Sequence, residues 1–213
     1  MDERSLSETV RGLNASVICD ARGKRLEDGL DPAIRCLHGG ATIAGPAVTA
    51  RCEPGYGSAL MRALLAAGEG DVLVVQGPGP HAYLGELLGA EAARRGVAAI
   101  VLDGNVRDIA KLRELPIAVY ARGTTPLAGK PGPGEIDVTL TIGAATVAPG
   151  DWIIGDADGL IVVPADELPA ALDRAAEIEA QENAVWERVR AGGAILDEEG
   201  SYGEALRKLA AQA

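Results

Sequence analysis

From Ser58 onward, apolar and polar positions alternate between two spacings. Ser58–Ala67 puts Leu60, Ala63, Leu64 and Ala67 on one face, which predicts a helix. Asp71-Val-Leu-Val-Val75 is a short apolar run, better as a buried strand than a helix at that length. A Gly77-Pro-Gly-Pro80 turn follows, and then a helix through Ala93 carried by Leu84, Leu87, Leu88 and Ala92. Ala98–Leu102 predicts the next strand, Asp103-Gly-Asn a turn, Arg107–Leu115 a helix and Ile117–Tyr120 another strand. Strands and helices alternating through tight connections predict parallel α/β units.

From Asp137 the spacing changes. Asp137–Ile142, Ala145–Val147, Trp152–Ile154 and Leu160–Val163 read as short strands, separated by turns such as Pro149-Gly-Asp151 and Asp156-Ala-Asp-Gly159. This pattern suits antiparallel sheet beside the α/β part. The chain then returns to helix over Asp166–Arg190, with a second candidate at Ser201–Ala213. Residues 1–165 are expected to form the main domain. Residues 166–213 are expected to form a helical extension packing on the core or on a neighbouring subunit.

Composition narrows the field. With no Phe and 3% aromatics among 213 residues, the core must be built from Val, Ile, Leu and Ala. Twenty Lys and Arg against 31 Asp and Glu give a net charge of −11, which repels phosphate backbones and disfavours nucleic acid as a partner. The longest stretch free of charged residues, between Arg35 and Arg51, falls short of the ~18–20 apolar residues of a membrane span. MDERSLSETV has no apolar segment, so no signal peptide is expected. Cys19, Cys36 and Cys52, an odd count without a CxxC pair, suit reduced thiols in a cytoplasmic protein.

Two turns after strands are rich in chemistry: QGPGPHAYLGELLG and DGNVRD. Such turns sit where open α/β sheets bind ligands, and a Gly/Pro loop leading into a helix offers backbone N–H groups to an anion. Gly77-x-Gly79 with Gly85 beyond imitates nucleotide and methyl-donor loops. Its spacing is not GxGxxG, however, and no acid ends the following strand in the ribose-binding place. Arg107 and Asp108 set a cation beside a carboxylate at the expected first turn of a helix. The pair also has an ordinary explanation: an acid there offsets the helix dipole by ~0.3–1 kcal/mol, and Arg107 serves as a surface ion-pair partner. Glu86 is open to the same dipole explanation.

An ordered series of motifs resembles the RraA-like family. The series runs Gly45-Pro-Ala-Val-Thr49, Gly85-Glu-Leu-Leu88, Arg94-Arg-Gly-Val97, Asp103-Gly-Asn-Val-Arg-Asp108, Tyr120-Ala-Arg-Gly-Thr-Thr-Pro126, Pro149-Gly-Asp151 and Gly155-Asp-Ala-Asp-Gly-Leu-Ile-Val-Val-Pro164, across roughly Val17 to Pro164. That family includes the divalent-metal-dependent 4-hydroxy-4-methyl-2-oxoglutarate and 4-carboxy-4-hydroxy-2-oxoadipate aldolases. The resemblance implies an α/β fold, a three-layer β/β/α sandwich of the swivelling-domain kind, in a homotrimer or homohexamer with sites between subunits. The aldolase branch carries an acid, twenty intervening residues and then Arg-Asp, and Glu86, residues 87–106, Arg107 and Asp108 reproduce it. The regulatory branch, which binds and restrains a ribonuclease, tends to lose that Asp.

What the resemblance implies for roles agrees with the chemistry. Asp108 is expected to ligate Mg²⁺ or Mn²⁺ held largely through waters. Arg107 is expected to hold pyruvate and stabilise its enolate oxygen. The N–H groups of Leu87 and Leu88, after Gly85, are expected to bind the pyruvate carboxylate. Glu86 is expected to hydrogen-bond water held by the metal and help move the proton. The expected reaction is class II cleavage of a 4-hydroxy-2-oxo acid to pyruvate, with oxaloacetate decarboxylation through the same enolate. No Schiff-base lysine is required, and none of Lys24, Lys111, Lys130 or Lys208 lies in either rich turn.

Some positions depart from the family or stay silent. Gln76 stands where relatives often have an acid, and Tyr56 where Asp is frequent. No family role carries over to His81 or Tyr83. The family's further acid from a neighbouring subunit has candidates in Glu187, Glu198 and Glu199. The alternative readings are a non-catalytic regulator that docks on a ribonuclease, and a methyltransferase.

Overall fold

A strand apolar at every position is stable only between two covering layers. Val72–Val75, Trp152–Gly155 and Leu160–Val163 are each buried throughout. The computed structural model, which describes residues 3–39, 42–196, 203, 207 and 208, shows what covers them. In chain order the elements are helices α1 (Glu3–Arg11) and α2 (Ala15–Ala21), a 3₁₀ turn (Leu26–Asp28), strands β1 (Arg35–His38) and β2 (Ile43–Cys52), and helix α3 (Ser58–Ala66). Next come β3 (Val72–Gln76), β4 (Ala82–Leu84), α4 (Glu86–Arg94), β5 (Ala99–Val106), α5 (Ile109–Leu112) and β6 (Ala118–Thr124). The chain continues through β7 (Gly134–Ile136), β8 (Leu140–Ile142), β9 (Ala145–Val147), β10 (Trp152–Gly155), β11 (Leu160–Val163) and α6 (Leu168–Arg190).

Among the described residues, one curled sheet runs in the order β1-β6-β5-β3-β2-β10-β11, with β4 beside β5 and β7 beside β2. Strands β2, β3, β5 and β6 are mutually parallel. Strand β2 joins two layers: Ala47–Arg51 runs parallel to β3, while Ile43–Pro46 runs antiparallel to β10. Strands β8 and β9 form a separate hairpin.

The two-residue period of a strand sorts the core into layers. Leu73, Val75, Ile100 and Leu102 pack with Leu60, Ala63 and Leu64 of α3 and Leu112 of α5. Val72, Val74, Ala99 and Val101, on the opposite face, meet Leu140, Ile142, Val147, Ile153 and Val162. The far side of that second β layer, with Trp152, Ile154, Ile161 and Val163, is covered by α1, α2 and the first half of α6. The architecture is therefore α/β, a β/β/α sandwich with the terminal helices as an outer cover.

Several boundaries differ from the pattern-based expectation. Leu84 lies in β4, because it pairs with Val106 of β5 rather than joining the α4 stripe. Asp103-Gly-Asn is not a turn: β5 runs through it to Val106, absorbing a register shift between Leu102 and Asn105. The helix expected over Arg107–Leu115 shrinks to the four residues of α5. Asp137, at φ +59°, breaks the strand expected over Asp137–Ile142, leaving β7 before it and β8 after it. The helix expected over Ser201–Ala213 lies almost wholly outside the described residues.

Helix α6 buries Leu168, Ala171, Leu172 and Ala175. None of its residues beyond Ala175 is buried, and Trp186 is 54% exposed with Arg190 over its ring. The start of α6 is tied down by charge. Arg22 forks onto Asp28 with two 2.9 Å bonds, both side chains being 4% exposed, and reaches Glu167 at 2.7 Å. Removing one partner of a buried pair strands the other charge, at about 3–5 kcal/mol. Asp28→Ala is therefore expected to cost about 3 kcal/mol of unfolding free energy in urea titration. Glu167→Ala, whose carboxylate is half exposed, is expected to cost under about 1 kcal/mol.

Candidate active site

Two cavities open where the parallel strands end, the usual ligand position in open α/β sheets. The larger, about 450 Å³, is walled by Arg51, Gln76, Asp103, Asn105 and Arg122. Its arginines and Asp103 are paired, whereas Glu53, in the same wall, has no ion-pair partner among the described residues. Arg122 pairs with Asp103 and, at 2.8 Å, with Asp31. Arg51 pairs with Glu135 at 3.1 Å, and Gln76 donates to Asp103 and to the Thr141 carbonyl. Cys52, in the same wall, has its thiol pushed up by burial, which keeps it protonated and unreactive.

The smaller cavity, about 260 Å³, is lined by Gly85, Leu87, Leu88 and Arg107, together with Ser58 and Lys130. Its construction begins at the end of β5. Val106 pairs with Leu84 of β4 and Thr124 of β6, and the Arg107 N–H donates to the Leu84 carbonyl at 2.9 Å. Asp108 then turns left-handed, at φ +56° and ψ +36°, just before α5. Arg107 and Asp108 thus precede the helix rather than form its first turn. That conformation costs roughly 1 kcal/mol in a residue other than Gly, and Asp is among the few that visit it. The Asp108 side chain makes no capping bond, and a four-residue helix has little dipole to offset. Helix stabilisation therefore does not explain this acid.

Gly85 explains how the pair is seated. Its backbone is extended, at φ −139°, so the requirement is for space. A Cβ there would lie 2.6 Å from Asp108 Oδ2 and 3.0 Å from Arg107 Nε, two atoms that are 3.2 Å apart. Gly85 also caps α4 without any side chain, and the first intrahelical bond runs from the Gly89 N–H to the Gly85 carbonyl at 3.0 Å. The N–H groups of Glu86, Leu87 and Leu88 are consequently left without helical acceptors. Leu87 and Leu88 line the cavity beside Arg107. Glu86 lies outside that wall, and its Oε2 is shielded from solvent with no hydrogen-bond partner.

Tyr83, which the sequence left without a role, braces the site. It is 5% exposed, accepts from the Gly55 N–H at 2.9 Å and donates to the Pro78 carbonyl at 2.6 Å. Burial raises its pKa, keeping the donating proton in place. His81 packs on Gly55, and its Nδ1 is buried without a partner. Tyr56 shields the backbone at Gly132. Gln76 belongs to the other cavity. Glu187 pairs with Arg190 on the exposed half of α6, and Glu198 and Glu199 lie outside the described residues.

The structure thus brings Gly85, Leu87, Leu88, Arg107 and Asp108 together, with Glu86 at the same helix start. Two expectations need correction. The Gly77–Pro80 turn leads into strand β4 and not a helix, so it presents no helix N-terminus to a nucleotide or methyl donor. Lys130, set aside because it lies in neither rich turn, lines the cavity. A pair of long-range bridges, Tyr56 to Lys130 and Ala82 to Ala128, brings it there, and nothing local in the sequence signals that.

Among the described residues no three His, Cys, Asp or Glu side chains converge to cage a metal. Asp108 is the carboxylate seated against Gly85, and Glu86 supplies the shielded oxygen nearby in sequence.

A protein of Halalkalibacterium halodurans named "Putative 4-hydroxy-4-methyl-2-oxoglutarate aldolase" is 35% identical over 175 residues, covering 79% of this chain and 83% of that protein. One of the same name from Burkholderia multivorans is 42% identical over 153 residues, covering 68% of this chain and 92% of that protein. The crystal structure of Streptomyces coelicolor RraAS2, described as an unusual member of the RNase ES inhibitor RraA protein family, matches with a TM-score of 0.78 at 30% identity, over 87% of this chain and 98% of that one. A family model described as RraA-like, Aldolase/RraA, matches residues 15–162, and the chain belongs to that RraA-like family.

Proposed function

We propose that the chain is a divalent-metal-dependent carbon–carbon lyase. It cleaves a 4-hydroxy-2-oxo acid such as 4-hydroxy-4-methyl-2-oxoglutarate to pyruvate, and it decarboxylates oxaloacetate. The observation that carries this reading is the seating of Arg107 and Asp108 against Gly85, at the open N-terminus of α4. The names of the relatives at 35% and 42% identity support it. In its favour over a ribonuclease-binding regulator, the reading of the RraAS2 relative, stands an Asp108 whose carboxylate makes no capping bond to α5 and lies against Gly85 and Arg107.

Mg²⁺ or Mn²⁺ fits the donor set. The available atoms are carboxylate oxygens: among the described residues the one ion pair of Asp108 is with Arg107, and the shielded Glu86 Oε2 lacks a partner. One or two carboxylates, with water and substrate completing the shell, is the usual way Mg²⁺ is held. When bound, the cation supplies Lewis acidity to the 2-oxo group. The residues of the chain do the rest. The Leu87 and Leu88 N–H groups orient the 1-carboxylate at the helix N-terminus. The Arg107 guanidinium faces the 2-oxo oxygen, where negative charge gathers as the C3–C4 bond breaks or as CO₂ leaves. Glu86 relays the proton lost from the 4-hydroxyl and returned to C3, and its shielding from solvent favours that exchange. Tyr83 keeps the wall fixed. The protein acts in the cytoplasm as a homotrimer or homohexamer, for which the exposed outer half of α6 supplies a contact surface.

Pyruvate release from oxaloacetate and from 4-hydroxy-4-methyl-2-oxoglutarate, coupled to lactate dehydrogenase, is expected to exceed the metal-only background with Mg²⁺ and to stop in excess chelator. Arg107→Ala is expected to lower turnover at least ~100-fold, the scale of losing a group aimed at developing charge. Asp108→Asn, which tolerates the left-handed backbone, is expected to do the same with an unchanged melting temperature. Turnover at the wild-type rate in either variant would overturn the assignment. Gly85→Ala places a methyl group where Asp108 Oδ2 and Arg107 Nε lie, so a loss of at least ~10-fold is expected, from misplaced catalytic groups.

A further inference from the structure

We propose that Lys130 binds the remote carboxylate of the substrate and makes the site selective for 2-oxo acids that carry a second carboxylate, an inference that rests on the aldolase reading above. The wall of the 260 Å³ cavity contains two cations, Arg107 and Lys130, and no acidic residue. In a chain with 31 acids and 20 bases, such a wall is out of keeping with the rest of the surface. Several other cations are answered by carboxylates, as Arg51, Arg122 and Lys111 are by Glu135, Asp31 and Glu114. No carboxylate pairs with Lys130 among the described residues.

The lysine is also held ready. Its N–H donates to the Gly55 carbonyl at 2.7 Å, and its own carbonyl accepts from the Gly57 N–H at 2.9 Å. The preceding Gly129 N–H donates to the Ala82 carbonyl at 3.0 Å. With the backbone fixed on both sides, binding has only the side-chain torsions to order. Ser58, in the same wall, accepts from the Gly132 N–H at 3.0 Å, which leaves its hydroxyl hydrogen to donate. A monoanion engages one cationic end of such a cavity. A dianion engages both, with the 2-oxo acid end at Arg107 and the α4 N-terminus, and the far carboxylate at Lys130 and Ser58.

The test is calorimetric titration of the full chain, with Mg²⁺ present, by 2-oxoglutarate and by 2-oxopentanoate. These two ligands have the same chain length and differ in a terminal carboxylate against a methyl group, and neither carries the 4-hydroxyl that cleavage needs. The wild type is expected to prefer 2-oxoglutarate about tenfold, the scale of one charge-assisted hydrogen bond. Lys130→Met is expected to bring the ratio to within about twofold, while Lys130→Arg keeps most of the preference by conserving the charge. Equal binding in the wild type, no binding of either acid, or a preference that survives Lys130→Met overturns the assignment. Preferential binding without pyruvate release from any substrate overturns the aldolase reading and leaves the carboxylate assignment standing. Pyruvate release alongside a preference insensitive to Lys130 overturns the assignment alone.

Discussion

The parallel strands are covered on both faces, and that constraint governs everything else in the molecule. Val72–Val75 and Ala99–Leu102 are buried without a break, so no titratable group can sit along them without a large desolvation cost. Charge is driven to the strand ends. There Arg51, Gln76, Asp103, Arg107, Asp108 and Arg122 all emerge within a few residues of the last apolar position. The aromatic-poor composition fits the same constraint, because aliphatic side chains fill two thin interlayer spaces and Tyr120 is the only fully buried aromatic among the described residues.

The strand ends resolve into two cavities of opposite electrostatic character. In the larger, Arg51 and Arg122 are paired with acids, which ties most of the wall's charge into structural ion pairs. In the smaller, a helix start keeps its N–H groups open, Lys130 has no carboxylate partner among the described residues, and a glycine gives the Arg107–Asp108 pair room to lie against the backbone. Size and unsatisfied polarity therefore point to different cavities, and the proposed site follows the second.

Much of this was legible in the chain, and the failures have specific causes. The buried strands were readable because covering layers demand unbroken apolar runs, and α3 because its stripe is regular; α4 was found although, of the four residues read as its stripe, Leu84 lies in β4 and Leu87 is 75% exposed. The stretch from Glu86 to Arg107 and Asp108 spans one strand-to-strand unit, which is why Gly85 ends up seated against Arg107 and Asp108. Leu84 misled because a residue pairing in a three-residue strand has the same apolarity as one on a helix face. Asp103-Gly-Asn misled because turn residues also serve an irregular strand, where a slip in register re-aims the side chains of Arg107 and Asp108. The elements before Ser58 gave no clear period, since β2 serves two layers and exposes alternate sides to different neighbours. Lys130 had no local signature at all; its position depends on loop bridges to Tyr56 and, through Ala128, to Ala82, both far away in the chain.

The left-handed backbone at residue 108 bears on how such a protein drifts. Gly and Asn are the residues that take up that conformation most cheaply besides Asp, and each is one nucleotide change away from an Asp codon. Loss of the carboxylate is thus a short mutational step with almost no penalty in folding, whereas most substitutions at a strained position are purged as unstable. A lineage can shed the chemistry while the sandwich, its cavities and its exposed helix persist for other uses. On the proposed reading of Asp108, fold and activity are separable at a single codon, which gives a physical reason for enzymes and non-enzymes to arise on one scaffold.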